Sequence, residues 1–158
     1  MLFIKSYIKD ILFFIFLLFI WLFSGLFFNV DFEFYNLLKL PIFILPNNII
    51  SILWFIIYVL ITISVFIVSK KIKILSNNDY LYMLITNYLS NQLFMFFFFN
   101  LMSPFLGFVI TTITTLSSIF LYLETKKISK NSSYLLIPYI IYCIYSFIIM
   151  ITIYFMNF

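Results

Sequence analysis

Few side chains in this 158-residue chain are equipped for chemistry. It has no histidine and no arginine, a single cysteine at Cys143, and five carboxylates (Asp10, Asp31, Glu33, Asp79, Glu124) that sit in or beside the gaps between apolar runs. A His/Cys metal site and a Ser-His-Asp triad are excluded, and the two glycines, Gly25 and Gly107, cannot build a phosphate-cradling loop. What does recur at helical spacing is aromatic, hydroxyl and amide. Trp54 and Tyr58 are four apart, one turn apart on one helix face, where they could pack helices or line a slot for a flat ring. Tyr139, Tyr142 and Ser146 share a face in the same way, and their hydroxyls need partners in a dry environment, from another helix or from a ligand. Asn87, Asn91 and the adjacent Gln92 lie inside an apolar segment and read as contacts between helices, within a bundle or across a dimer. Thr111, Thr115 and Ser118 read as a stripe of small residues for close helix packing.

The composition says what kind of helices must hold these groups. The chain is 66% hydrophobic, 24% aromatic and 9% charged, where soluble domains carry about 25% charged residues. That excludes a soluble globular protein and a disordered chain, and one cysteine excludes a disulfide scaffold. Five apolar runs approach the roughly 20 residues that a spanning helix needs: Ile11 to Phe28, Ile49 to Val68, Tyr80 to Phe99, Pro104 to Leu123, and Tyr134 to Phe155. The third is the most polar, with Asn87, Ser90, Asn91 and Gln92, but lysine placement favours its crossing. With five spans, Lys5, Lys9, Lys70, Lys71, Lys73, Lys126, Lys127 and Lys130 share one side and Lys39 alone takes the other.

The expectation is thus an all-α integral membrane bundle of five transmembrane helices. It forms one domain over residues 1–158, with the N-terminus cytoplasmic and the C-terminus outside. The lipid bilayer is its first partner. The net charge of +4 belongs to cytoplasmic loops beside anionic headgroups and gives no nucleic-acid footprint. The first run exceeds the usual 7–15 residue core of a signal peptide and no small-x-small cleavage site follows it, so it reads as a retained helix.

One connection is long. Asn29 to Asn48 reads NVDFEFYNLLKLPIFILPNN, mixing aromatics with two carboxylates, one lysine and two prolines. Pro41 and Pro46 pre-order it, and Pro46 with Asn47 and Asn48 marks the start of the second helix. The segment is expected to be a structured outer lid, although its aromatics would also suit an interfacial belt.

Within and after that loop stand Phe34, Tyr35, Leu38, Pro41, Phe43 and Pro46, then Trp54 and Tyr58, in the pattern F-Y-x-x-L-x-x-P-x-F-x-x-P followed by W-x-x-x-Y. This resembles the TspO/MBR family of tryptophan-rich sensory and translocator proteins, with W-Y-x-x-L-x-K-P-x-W-x-P-P and W-x-x-L-Y. Phe34 and Phe43 stand for tryptophans, Leu45 for a proline, and the lysine is displaced to Lys39. In the last run Leu135, Leu136, Pro138, Tyr139, Tyr142, Tyr145, Ser146, Ile153 and Asn157 resemble the family's L-L-x-P-Y-x-x-W-x-x-F-A and closing I-x-x-x-N. Tyr88, Gln92, Leu93, Ser103, Pro104 and Gly107 resemble Q-L-x-x-N-x-x-W-S-P and its following glycine, with small gaps in register.

The resemblance implies a five-helix bundle, often a homodimer, with a cavity capped by the first loop that binds porphyrins or similar hydrophobic molecules for sensing or transport. It implies no resident cofactor and no catalytic residue. Carried onto this chain, it puts Tyr35, Lys39, Pro41, Phe43, Trp54, Tyr58, Tyr139, Tyr142 and Ser146 at the ligand. Light-dependent porphyrin degradation, an activity of some members, would want oxidisable tryptophans, and the fifth-helix tryptophan is Tyr142 here. A structural subunit that keeps the packing and lacks a pocket is the remaining alternative. Two features weigh against capture of an anion and against a sterol. The loop carries Lys39 against Asp31 and Glu33, leaving the N-terminus of the second helix as the other carboxylate acceptor, and no cation follows Lys130 to complete a sterol-recognition pattern.

Overall fold

A computed structural model describes residues 2–28 and 30–158, with side chains described from Tyr7 onward except at positions 24 and 26. The expected first loop residue, Asn29, and the Lys5 side chain lie outside the described residues. Every described element is helical. The first apolar run forms α1 (Leu2–Trp21) and, after a break at Leu22, the short α2 (Phe23–Phe27). The loop contains α3 (Phe32–Leu37), capped by Asp31, whose carboxylate accepts from the Phe34 amide at 2.9 Å. Helix α4 (Asn47–Lys71) starts directly after Pro46 and ends on Lys70 and Lys71, cations placed where the helix dipole favours them.

Helix α5 (Asn78–Met95) is capped by Asn77 and α6 (Pro104–Ile128) by Ser103 with Pro104 in its first turn. A short α7 (Lys130–Tyr134) leads into α8 (Ile137–Met156). The helices overrun the apolar runs at their charged ends, because backbone hydrogen bonding continues past the lipid-matched stretch.

Three stretches among the described residues, Asn47–Lys71, Pro104–Ile128 and Lys130–Met156, are long and apolar enough to cross a membrane. The expected count of five is thereby met only in part. All five runs are helical, but α1 carries Lys5, Lys9 and Asp10 in its first half and α5 carries Asn87, Ser90, Asn91 and Gln92.

Helix α6 is the spine, with α5 and α8 packed along it, while α1 packs on α4. Its small residues permit this. Thr111, Thr114, Thr115 and Thr125 return their hydroxyls to the carbonyl four residues back, and Ser117 and Ser118 to the carbonyl three back. The stripe read in the sequence is thus a buried face with its polar atoms satisfied internally.

Two apolar clusters divide the bundle. One gathers Trp21, Ile57, Ile61, Val65, Val68, Tyr80, Leu121, Leu136 and Tyr139. The other gathers Phe98, Phe99, Ile149, Met150 and Ile153, with Phe34, Tyr35, Leu38, Leu40 and Ile44 of the loop packed onto it. Between Gln92 and Ser103, where the motif register needs small gaps, a π-helical turn at Phe96–Asn100 follows α5, and Met102 then takes the left-handed conformation at φ 48°. This detour turns Phe98 and Phe99 inward.

Candidate functional site

Between the two clusters lies a cavity of about 880 Å³, roofed by Val30, Phe32, Tyr35 and Ile44 of the loop. Two helices supply its main walls by simple periodicity. On α4 the lining positions Asn47, Ile50, Ser51, Trp54 and Tyr58 recur every three or four residues, and on α8 Tyr142, Ser146, Ile149 and Ile153 do the same. Helix α5 and the π turn add Asn91, Phe94, Phe98 and Phe99, and α6 adds Thr111, Thr114 and Thr115.

The wall around Trp54 is aromatic and mutually packed. Its ring lies 5.3 Å from that of Tyr58 and 5.1 Å, edge-on, from that of Tyr142. Behind Tyr58 stands Trp21, with ring centroids 6.0 Å apart. Beneath this wall the side-chain amides of α5 close a hydrogen-bond chain. The Tyr58 hydroxyl donates to Asn91 Oδ1 at 2.8 Å, and the Tyr139 hydroxyl accepts from Asn91 Nδ2 at 3.4 Å and donates to Asn87 Oδ1 at 3.0 Å. Asn87 Nδ2 in turn reaches Ser117 Oγ at 3.0 Å, so α4, α5, α8 and α6 are joined in one path. Gln92 donates to the Trp21 carbonyl at 3.1 Å, tying α1 to α5. The polar residues of the third run therefore bond helices within one chain.

The nine residues carried over from the motif separate into two groups. Tyr35, Trp54, Tyr58, Tyr142 and Ser146 line the cavity. The other four stand behind or beside it. Tyr139 is 0% exposed, with its hydroxyl consumed by the two asparagines. Pro41 is buried and its carbonyl accepts from the Ile44 amide in a tight turn. Phe43 is 47% exposed and faces away. Lys39 contributes its backbone, both atoms of which pair with the Asn157 side chain, at 2.8 Å through its N–H and 3.0 Å through its carbonyl.

Asn157 is thus a latch, and Tyr145 is a second one. The Tyr145 hydroxyl accepts from the Leu45 amide at 3.0 Å and donates to the Phe43 carbonyl at 3.2 Å. Tyr145 belongs to the last-run motif, but spacing reveals a helix face and not a partner 100 positions away. Phe98 and Phe99 are likewise invisible within a four-phenylalanine run.

The lining is uncharged. Among the described residues it contains no lysine and no carboxylate. Tyr35 is neutral at physiological pH like any tyrosine, and burial raises its hydroxyl further above the usual value of 10.0. Nor do three metal-ligating side chains converge anywhere among the described residues.

The whole architecture has relatives. The TspO/MBR family model matches residues 11–156. The uncharacterized membrane protein YtaB of Bacillus subtilis is 34% identical over 137 residues, 85% of this chain and 86% of that protein. The tryptophan-rich protein TspO of Bacillus cereus is 28% identical over 134 residues, covering 85% of this chain and 87% of its own length. This multi-pass membrane protein, with its helical bundle, lidded cavity and matching motifs, belongs to the TspO/MBR family.

Proposed function

We propose that the protein is a membrane sensor or transporter that binds a flat hydrophobic molecule, a tetrapyrrole or one of similar shape, in the lidded cavity. The observation that carries this reading is the cavity itself: about 880 Å³, within the roughly 300–1,000 Å³ of small-molecule sites, walled by Trp54, Tyr58 and Tyr142. Aromatic faces suit a macrocycle, and each contact adds on the order of 0.5–1.5 kcal/mol beyond buried area. The role is binding, not acid-base catalysis, because the described lining offers no titratable acid and base pair near neutral pH.

The test uses the Trp21→Phe variant in detergent, in which Trp54 is the remaining tryptophan. Titration with protoporphyrin is expected to quench Trp54 saturably at micromolar ligand, after correction for inner-filter loss. Tyr142→Ala, read by porphyrin absorbance, should weaken binding about tenfold, the equivalent of about 1.4 kcal/mol. Quenching no greater than that of an unrelated membrane protein would remove the reading.

The same proposal includes five crossings with the N-terminus cytoplasmic. The geometry in its favour is that Lys70 pairs with Asp10, while Asp79 acts electrostatically on Lys127, so the lysine clusters share one end of the bundle. A phosphatase fused after Phe158 should then be active, and a cytoplasmic reporter there inactive.

A further inference from the structure

A molecule bound as proposed above must first enter the cavity, and the bundle closes the roof and the side of that cavity unequally. The roof is fastened. Four hydrogen bonds from the Asn157 and Tyr145 side chains hold residues 39–45, and Phe34, Tyr35 and Leu38 pack on the apolar cluster below. The side toward the first helical run differs. As far as Trp21, α1 packs on α4, with the Phe14 and Phe66 rings 5.9 Å apart and Trp21 stacked on Tyr58. The helix then breaks at Leu22, and α2 packs on α5 instead, followed by Phe28 against Phe96 with ring centroids 5.8 Å apart. Toward the lid, α2 thus leans away from α4.

Along this seam the cavity reaches the surface. Gly25 lines it from α2, Ser51 and Phe55 line it from α4, and all three are exposed. Phe55 is 53% exposed and stands beside the exposed Ile52 and Ile56, so cavity wall and outward face of α4 meet at this residue. It lies about 12 Å along α4 from Asn47, a depth that acyl chains reach in a hydrocarbon layer of roughly 30 Å. A Cβ on Gly25 would meet nothing within 4 Å. Packing therefore does not demand a glycine there, and its effect is to keep the gap clear at some cost in helix propensity.

We infer, resting on the binding function proposed for the cavity, that this seam is a lateral portal: the ligand passes between cavity and bilayer beside Gly25, Ser51 and Phe55 while the lid stays fastened. The Trp21–Tyr58 stack is its sill, and Val30 and Phe32 of the lid are its upper edge. An apolar planar molecule concentrates in the bilayer. From there the side route displaces only acyl chains, whereas the roof route breaks four hydrogen bonds and uncovers apolar surface.

The experiment closes one route at a time in a Trp21→Phe, Cys143→Ser background, which leaves Trp54 as the reporter and no native thiol. Gly25→Cys with Ser51→Cys is bridged across the portal, and Lys39→Cys with Asn157→Cys across the lid, each by a bifunctional methanethiosulfonate that reduction removes. Protoporphyrin association is followed by stopped-flow quenching of Trp54 in phospholipid nanodiscs. The portal bridge is expected to slow association at least about tenfold, with recovery on reduction, and the lid bridge to change it less than about twofold. Gly25→Leu, with free space for its side chain, should slow association several-fold without any bridge. Slowing by the lid bridge, alone or together with the portal bridge, would overturn the inference, as would slowing by neither bridge. All three of those outcomes leave the cavity reading intact. Absence of saturable quenching in the reduced, unbridged proteins and in their common background would instead remove the binding function, and the portal with it.

Discussion

The two halves of the bundle solve the same burial problem in opposite ways. Around Tyr139 the interior is filled: Asn87, Asn91, Tyr58 and Ser117 satisfy one another, and Ser64 and Ser132 exchange hydroxyl-to-carbonyl bonds at 3.0 and 2.8 Å between α4 and α7. Toward the loop, side chains of the same types surround a void, and the hydroxyls of Tyr142 and Ser146 make no protein hydrogen bond among the described residues. Polar groups are costly in a dry interior, so the filled half uses its hydroxyls for cohesion, that of Tyr80 excepted. The hollow half leaves two of its own unspent.

Substitutions in the two halves should separate along that line. The largest effect is expected from Tyr139→Ala, which empties a fully buried site and orphans both asparagines. It should cost about 3–5 kcal/mol, seen as a large drop in the melting temperature of the detergent-solubilised protein. Trp54→Ala reverses the balance. Its ring already borders the void, so stability should fall by only about 1–2 kcal/mol, while porphyrin affinity measured by absorbance falls tenfold or more. Equal destabilisation by both changes, with unaltered binding, would erase the distinction between the halves.

Gly107→Ala sharpens it. A methyl there would meet Met150 Cε at 2.6 Å and Phe98 Cδ2 at 2.7 Å, and both side chains line the cavity. One or both must shift, and because both stand on the cavity wall, ligand affinity should drop several-fold for a stability cost of about 1 kcal/mol, read by melting with and without ligand. The smallest change is expected from Tyr145→Phe, which removes one latch at a cost of about 0.6 kcal/mol. Its signature is a faster ligand off-rate in stopped-flow quenching, with the melting temperature nearly unmoved.

Sequence reading reaches the helices and the lid because both are written locally. Apolar runs bounded by lysines become helices, and Pro46 before Asn47 starts α4 where expected. The stripe Trp54 to Tyr58 follows from spacing alone. What spacing leaves out is the partner. Tyr139 and Tyr142 are three apart on one helix, yet one is sealed by Asn87 and Asn91 and the other opens on the cavity. No property of the two tyrosines distinguishes them, because the difference lies in what α5 brings opposite. The π turn at Phe96–Asn100 is equally hidden, since four identical residues give no signal of a changed helical period.

The two latches share a property with a wider consequence. Asn157 bonds the N–H and carbonyl of Lys39, and Tyr145 bonds the N–H of Leu45 and the carbonyl of Phe43. Every one of these contacts ends on main chain, so these hydrogen bonds do not depend on which side chains the lid displays at Lys39, Phe43 and Leu45. The positions that do not pack on the core, such as Phe43 and Leu45, can drift in composition, while the hydrogen bonds stay encoded at Tyr145 of α8 and at Asn157 just beyond its end. Selection can therefore revise what the roof presents to a ligand without having to reinvent how the roof is held shut.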